Sequence, residues 1–435
     1  MTSALRAFRG PLVDSLGNPD ELGLEASCRF IEDGLLLVRE GTIEAIGPAS
    51  ALLSQLPPQT PLKHYPDALL CPGFVDTHIH YPQTPIIGSY GEQLLDWLQR
   101  FAFPAERALA DRTYAAGLAE RFLDELLRHG TTTALVFASV HPHSVDALFE
   151  AAQKRRLRLL AGKVLMDRHA PDDLLDSPES GYQQSRALIE RWHGRDRLGY
   201  AITPRFAPTC CDRQLALAGQ LLSEFPGVHL QTHISETPAE VAWVRELFPE
   251  RNGYLDVYDH HGLLGPKTVL AHGVHLTDEE RARMADTGTR LAFCPTSNLF
   301  LGSGLLDLAA TEAAGVTVGL ATDVGGGTSF SLLQTLAEAY KVLQLQNQRL
   351  HPFKSLYLAT LGGAQALGLE QQIGSFAPGK EADFLVLDPA ATPLLADRSA
   401  AGQSLADRLF ALMTLGDDRA VQEVYVLGQR VHQRH

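Results

Sequence analysis

Between residues 69 and 374, short apolar runs alternate with longer stretches whose apolar positions recur every three or four residues. The short runs lie at 69–76, 131–138, 158–166, 199–206, 228–232, 268–271, 289–293 and 316–322. Runs this short and this continuously apolar read as buried strands, and the intervening stretches, such as Arg112–Arg128 and Asp212–Glu224, as amphipathic helices. Strands alternating with helices form a parallel sheet, and eight such units predict closure into a (β/α)8 TIM-type barrel.

The flanking segments have a different texture. Residues 1–68 carry strand-like runs at 34–38 and 42–46, punctuated by Gly and Pro. The stretch Pro57-Pro58-Gln59-Thr60-Pro61 then separates them from the barrel. Strand patterns return after residue 374, at Phe384–Leu387 and Val421–Val426. The two chain ends are therefore expected to meet outside the barrel in a small β-sandwich domain. Residues 1–68 and 375–435 would build it, with the barrel at 69–374 between them.

Apolar residues make up 45% of the 435 and charged residues 20%, a balance that favours a packed core and excludes disorder over most of the length. A formal net charge of −14 argues against a nucleic-acid partner, which Lys and Arg would have to neutralise. The five cysteines, Cys28, Cys71, Cys210, Cys211 and Cys294, are odd in number and irregularly spaced. They point to a reducing, cytoplasmic setting and away from a disulfide framework. No apolar h-region follows the basic N-terminal positions, and no stretch approaches the roughly 20 apolar residues of a membrane span. No membrane partner is expected.

The first strand runs into Asp76-Thr77-His78-Ile79-His80. On an extended segment His78 and His80 point to the same side, because side chains alternate with period two, and together they make a two-ligand start for a divalent cation. The fifth run ends at His233, the sixth at His272 and the eighth at Asp323. Enzymes built on this barrel keep their chemistry at the C-terminal ends of the strands, so four strand ends deliver these groups to one mouth. Taken singly, each histidine is explained as a hydrogen-bonded core residue, and Asp323 as a cap before Gly325-Gly326-Gly327. Their shared location is not explained that way. Imidazole and carboxylate donors without thiolate put zinc first, with iron or manganese suited to the same donors.

Glu236 lies one short turn beyond His233, where a carboxylic acid would shuttle a proton between an activated water and a substrate nitrogen. Without His233 it would read as an ordinary carboxylate at a helix start. Zinc lowers the pKa of a bound water toward about 7. Asp323 would accept the proton that this water loses, and His272 would hydrogen-bond the attacking hydroxide. A second cation would call for a bridging Lys at the end of the fourth strand. That strand reads Ala201-Ile202-Thr203-Pro204-Arg205-Phe206, and Lys163 sits in the third, so a single ion is expected.

These residues closely resemble the amidohydrolase superfamily. The stretch Pro72-Gly73-Phe74-Val75-Asp76-Thr77-His78-Ile79-His80 is similar to its metal-binding opening. The pair His233 and Glu236, with Ala271-His272-Gly273 and Thr322-Asp323, resembles its mononuclear deaminase branch. Within that branch, the guanine deaminases are matched by His80-Tyr81-Pro82-Gln83, by 97–106 with Phe103-Pro104-Ala105-Glu106, and by Thr203-Pro204-Arg205-Phe206. Cys294-Pro295-Thr296-Ser297-Asn298, Thr360-Leu361-Gly362-Gly363-Ala364 and Leu415-Gly416-Asp417-Asp418-Arg419 extend the likeness over nearly the whole chain.

The resemblance implies hydrolysis of guanine to xanthine and ammonia, by water attacking C2. It implies one Zn2+ per subunit on His78, His80, His233 and Asp323, and catalytic roles for Glu236, His272 and Asp323. It also implies a homodimer. Arg205 would offer a planar fork of donors to the purine carbonyl, and Gln83 would both donate and accept along another edge. Phe206 and Trp97 would supply apolar surface, with His233, Glu236 and Asp323 bordering the substrate. The plainer accounts are a rim salt bridge for Arg205 and helix packing for Trp97.

Other readings remain beside this one. An amidohydrolase acting on 8-oxoguanine, a pterin or a triazine would share the same metal machinery. A barrel that had lost its chemistry would lack the ligand set, which is intact here. The zinc deaminases of an unrelated fold need H-x-E and P-C-x-x-C. Thr209-Cys210-Cys211-Asp212 has no Pro-Cys pair, and Cys294-Pro295 runs in the wrong order.

Overall fold

The structure is a computed structural model that describes residues 5–91 and 93–434. Eight parallel strands form the barrel: Phe74–His80 (β1), Thr131–Phe137 (β2), Arg158–Gly162 (β3), Leu198–Pro204 (β4), His229–Ile234 (β5), Thr268–His272 (β6), Arg290–Phe293 (β7) and Val318–Leu320 (β8). Each pairs with its neighbour in sequence order. The circle is completed just beyond the last strand, where the Asp323 N–H donates to the His78 carbonyl (3.0 Å) and the His80 N–H to that of Val324 (2.9 Å). The helices expected at Arg112–Arg128 and Asp212–Glu224 are present with those bounds. The first starts where it does because the Asp111 carboxylate accepts from the Thr113 and Tyr114 N–H groups.

The expected strand at 69–76 is divided. Leu69–Pro72 pairs antiparallel with Phe384–Leu387 outside the barrel, and β1 begins only at Phe74. Gly73 is the joint. A Cβ there would stand 2.1 Å from Thr132 Oγ1, so only glycine lets the chain cross between the sheets at that depth. Unbroken hydrophobicity conceals this break, and its consequence is functional: His78 and His80 belong to the end of β1, where His80 pairs with Phe137 of β2 and His78 falls in a register shift between Asp76 and Ile79.

The chain ends meet as expected. Arg6–Ser15, Cys28–Arg39, Thr42–Pro48, Leu62–His64 and Leu69–Pro72 join Phe384–Leu387, Val421–Val426 and Gln429–Gln433 in one mixed sheet of eight strands. That sheet curls over its own core, bringing Phe8 to 5.0 Å from Tyr425 and 4.9 Å from Phe384 (ring centroids), although Leu69–Pro72 lies between their strands in the pairing order. The sandwich is thus made from one sheet folded on itself. The strand texture expected after residue 374 is interrupted by two helices, Pro393–Ala401 and Leu405–Leu415. Leu409, Leu412 and Met413 give the second a buried face. It packs on the barrel helices Leu332–Leu345 and Pro352–Ala359.

An ion cluster ties the sheet to the lower barrel rim. Arg158 at the start of β3 and Arg197 just before β4 both donate to Glu381 (2.8 and 3.0 Å), and Arg197 also pairs with Asp383. The Arg197 side chain is only 9% exposed, and its removal leaves the buried Asp383 carboxylate without its cationic partner. Arg197→Ala is expected to cost about 3 kcal/mol, read as a lower midpoint in urea, with turnover per folded molecule unchanged. Among the described residues, no helix is long and apolar enough to cross a membrane.

Candidate active site

β1 ends by presenting His78 and His80 to the barrel axis, and Asp76 secures that ending. Its carboxylate accepts from the N–H groups of His78 (3.3 Å) and Thr322 (3.1 Å), locking β1 to the segment after β8. Three residues at the same mouth, Ser235, His272 and Asp323, hold left-handed backbone at φ 47°, 75° and 49°. Such strain is retained where it aims a side chain.

The result is a tight convergence of donors. His80 Nε2 lies 3.2 Å from both His78 Nε2 and His233 Nε2. Asp323 Oδ1 is 3.2 Å from His78 Nε2 and 3.5 Å from His80 Nε2. Two ligands on a tetrahedral zinc with bonds of about 2.0–2.1 Å stand about 3.3 Å apart, which is the spacing seen here. The orientation fits as well. The Arg205 carbonyl can only accept, so the 2.6 Å contact from His233 places the proton on Nδ1 and leaves the Nε2 lone pair free for the centre.

Electrostatics keep this set ready to bind a cation. Burial, joined by neighbouring positive groups, lowers His78 against the pull of Asp323 and drives His80 and His233 well below the ordinary histidine value. Burial acts to raise Asp323, but hydrogen bonding and charge from His78, with His272 and Ser297, outweigh it and hold the carboxyl at about 2. It is ionised at any working pH. A set of three imidazoles and one carboxylate therefore fits a metal site.

Beside it stand the two other groups expected from the sequence. Glu236 is buried, and burial with the nearby Glu240 and Asp323 charges pushes it up to about 7 against the pull of His272. The turn that aims it is fixed by Glu240, whose carboxylate accepts from the Glu236 N–H at 2.8 Å where the helix Pro238–Leu247 starts. Ser303 Oγ donates to Glu236 Oε1 (3.2 Å), and Oε2 lies 3.5 Å from His272 Nε2. Burial alone would depress His272, but Glu236, Asp323 and the bond to Asn298 Oδ1 (2.9 Å) leave it raised.

A cavity opens over these groups. Gln83, Arg205 and Gly326 border it on the polar side, and Trp97, Phe206, Leu94, Leu98 and Leu301 form apolar walls. Every residue singled out in the sequence as a substrate contact is therefore on this cavity. Arg205 does make a salt bridge, in a buried form. It is 2% exposed, and its Nη1 donates to both oxygens of the buried Glu106 (2.7 and 2.6 Å). Trp97 combines both of its readings: it lines the cavity while packing in its helix, with Nε1 donating to the Ser89 carbonyl (3.3 Å). Sequence reasoning gave no role to Glu106, Asn298 or Ser303. The first two lie in segments noted for their likeness to guanine deaminases, and Ser303 carried no signal.

Residues 69–431 match the Amidohydrolase family. The chain belongs to the amidohydrolase family. Members of this family are metal-dependent, in keeping with the donor set at the mouth. Among its relatives is the guanine deaminase of Escherichia coli (strain K12), 53% identical over 99% of this chain and 98% of that protein. The solved E. coli guanine deaminase superposes with a TM-score of 0.97, covering 99% of this chain and all of the other. A guanine deaminase from C. acetobutylicum, solved with guanine bound in its active site, is 28% identical, with a TM-score of 0.89 over 98% of this chain and 100% of that one. This amidohydrolase thus carries the expected fold and an enzyme's site, a hydrolase acting on C–N bonds.

Proposed function

We propose that the protein is a guanine deaminase, converting guanine and water to xanthine and ammonia. The observation that carries the reading is the convergence of His78, His80, His233 and Asp323 at an apolar-walled cavity that a buried acid, Glu236, also lines. Kinship with guanine deaminases supports the substrate. Zinc is the ion of this reading, one per subunit, because the donors are imidazole and carboxylate at tetrahedral spacing. When bound, the ion acts as a Lewis acid and makes hydroxide available at neutral pH.

The residues of this chain perform the rest. Phe206 and Trp97 supply apolar surface to the purine, and Arg205 donates to its C6 carbonyl oxygen, placing C2 over the donor cluster. Asp323, ionised, accepts the proton lost by the attacking water. His272 steadies the negative charge on the incoming oxygen through Nε2. Glu236, poised at about 7, carries a proton to the ring nitrogen next to C2, which makes that carbon electrophilic. It then takes up the remaining proton of the attacking oxygen as the C2 carbonyl forms and delivers it to the departing amine, and the proton held on Asp323 returns to Glu236. We read the cytoplasm as its place, in accord with Cys28, Cys71, Cys210, Cys211 and Cys294 all standing free. A homodimer belongs to the same reading and is checked by light scattering.

The deciding assay follows the ultraviolet change from guanine to xanthine together with released ammonia. Equal yields of both products are expected, with loss of turnover after chelation and recovery on adding zinc. Zinc-loaded protein that leaves guanine intact while hydrolysing a triazine or a pterin overturns the reading.

A further inference from the structure

Glu106 is buried to 1% exposure at the back of the substrate cavity, on the helix Phe103–Arg107 that follows β1. Its carboxylate holds two of the cavity's polar residues at once. Both oxygens accept from Arg205 Nη1, and Oε1 also accepts from Gln83 Nε2 at 3.1 Å. The other end of the Gln83 amide, Oε1, accepts from the Gly325 N–H at 3.1 Å.

An ionised carboxylate only accepts, and a backbone N–H only donates, so this arrangement permits one amide orientation. With Gln83 reversed, its oxygen would face the Glu106 carboxylate and its NH2 group the Gly325 N–H, two repulsive contacts in a buried site. Glu106 also fixes the guanidinium. With Nη1 engaged and the Phe103 ring 5.2 Å from its central carbon, Arg205 is left with Nη2 and Nε, which have no protein partner among the described residues. The cationic charge is balanced in place, so a neutral base enters without having to supply the counter-charge.

We propose that Glu106 is the positioning residue that sets purine specificity: by clamping Arg205 and Gln83 it makes this wall a fixed donor that accepts a 6-oxo purine and rejects one lacking that oxygen. The proposal rests on the guanine reading above. Glu106 touches neither substrate nor the reacting atoms; it acts through its two partners.

The test compares guanine with 2-aminopurine, which keeps the amine at C2 and lacks the oxygen at C6. For the zinc-loaded wild-type enzyme, Glu106→Ala and Glu106→Asp, kcat and KM are measured on each base, with an inhibition constant used for 2-aminopurine if it is not turned over. Glu106→Ala is expected to raise KM for guanine and to cut the guanine to 2-aminopurine ratio by about 10- to 100-fold, with 2-aminopurine itself little affected. Glu106→Asp restores part of the ratio. If Glu106→Ala does not fold, Glu106→Gln, nearly equal in volume, is read on the same ratio. Equal losses on both bases, in step with a lower Tm, would mean a merely structural role and overturn the proposal. Guanine turnover with an unchanged ratio removes this inference alone, whereas a wild-type enzyme inert toward guanine removes the reading beneath it as well.

Discussion

Asp323→Ala is expected to release the metal and to lower turnover by about 10⁴-fold or more. Among the described residues, Asp323 is the only carboxylate whose oxygen stands at ligand spacing from His78 and His80, and it is ionised throughout the working range. Its removal leaves neutral imidazoles alone to hold a dication, and it also removes the acceptor for the proton that the attacking water loses. The two losses fall on one side chain, so added zinc restores the first and leaves the second. Metal analysis of the purified variant, with and without excess zinc, separates them. His78→Ala gives a different pattern: metal is lost, and excess zinc returns a larger share of the turnover because Asp323 is still present. Retention of a full metal complement in Asp323→Ala, with turnover within about tenfold of wild type, would refute the ligand assignment.

The residues that converge at the mouth are legible because two periodic rules coincide at them. Strand patterns locate the C-terminal ends, and the period of two orients His78 and His80 to one side, so four short words in the sequence fall at one mouth. The residues that hold those groups in place obey no such rule. Ser303 reaches Glu236 across 67 positions, and Asn298 reaches His272 across 26, each from the segment after β7. Glu106 sits in Phe103-Pro104-Ala105-Glu106, a segment in which no pattern marks the direction of its side chain; only the fold shows that it is turned inward onto Arg205. The boundaries were lost for a related reason. Hydrophobicity runs almost without interruption from Leu69 through Val75, yet the chain changes sheets at Gly73, because burial in either sheet demands the same apolar residues. Leu405–Leu415 was missed because its polar setting between two strands masks a helix that a Ser404–Asp407 capping box starts.

Glu236→Gln should have the opposite signature to loss of a ligand: full metal content with turnover lowered by about 10²- to 10⁴-fold, since an amide cannot pass a proton to the ring nitrogen. The same substitution is expected to stabilise the fold, in a manner that depends on pH. Burial raises the native Glu236 to about 7 from an ordinary value of 4.5. Between those values the native state keeps a proton that the unfolded chain has released, so stability is fully present below the lower value and is lost as pH rises through the higher one. The amide that replaces the carboxyl has no proton to lose and escapes that decline. The variant's advantage should therefore be small near pH 4.5 and grow to the order of 3 kcal/mol by about pH 8, measured as the gap in urea midpoints between the two proteins. This is the cost of keeping an acid buried beside the substrate. A gap that stays constant across that range would show that Glu236 does not titrate differently in the folded protein, and its place as the proton carrier would pass to another group.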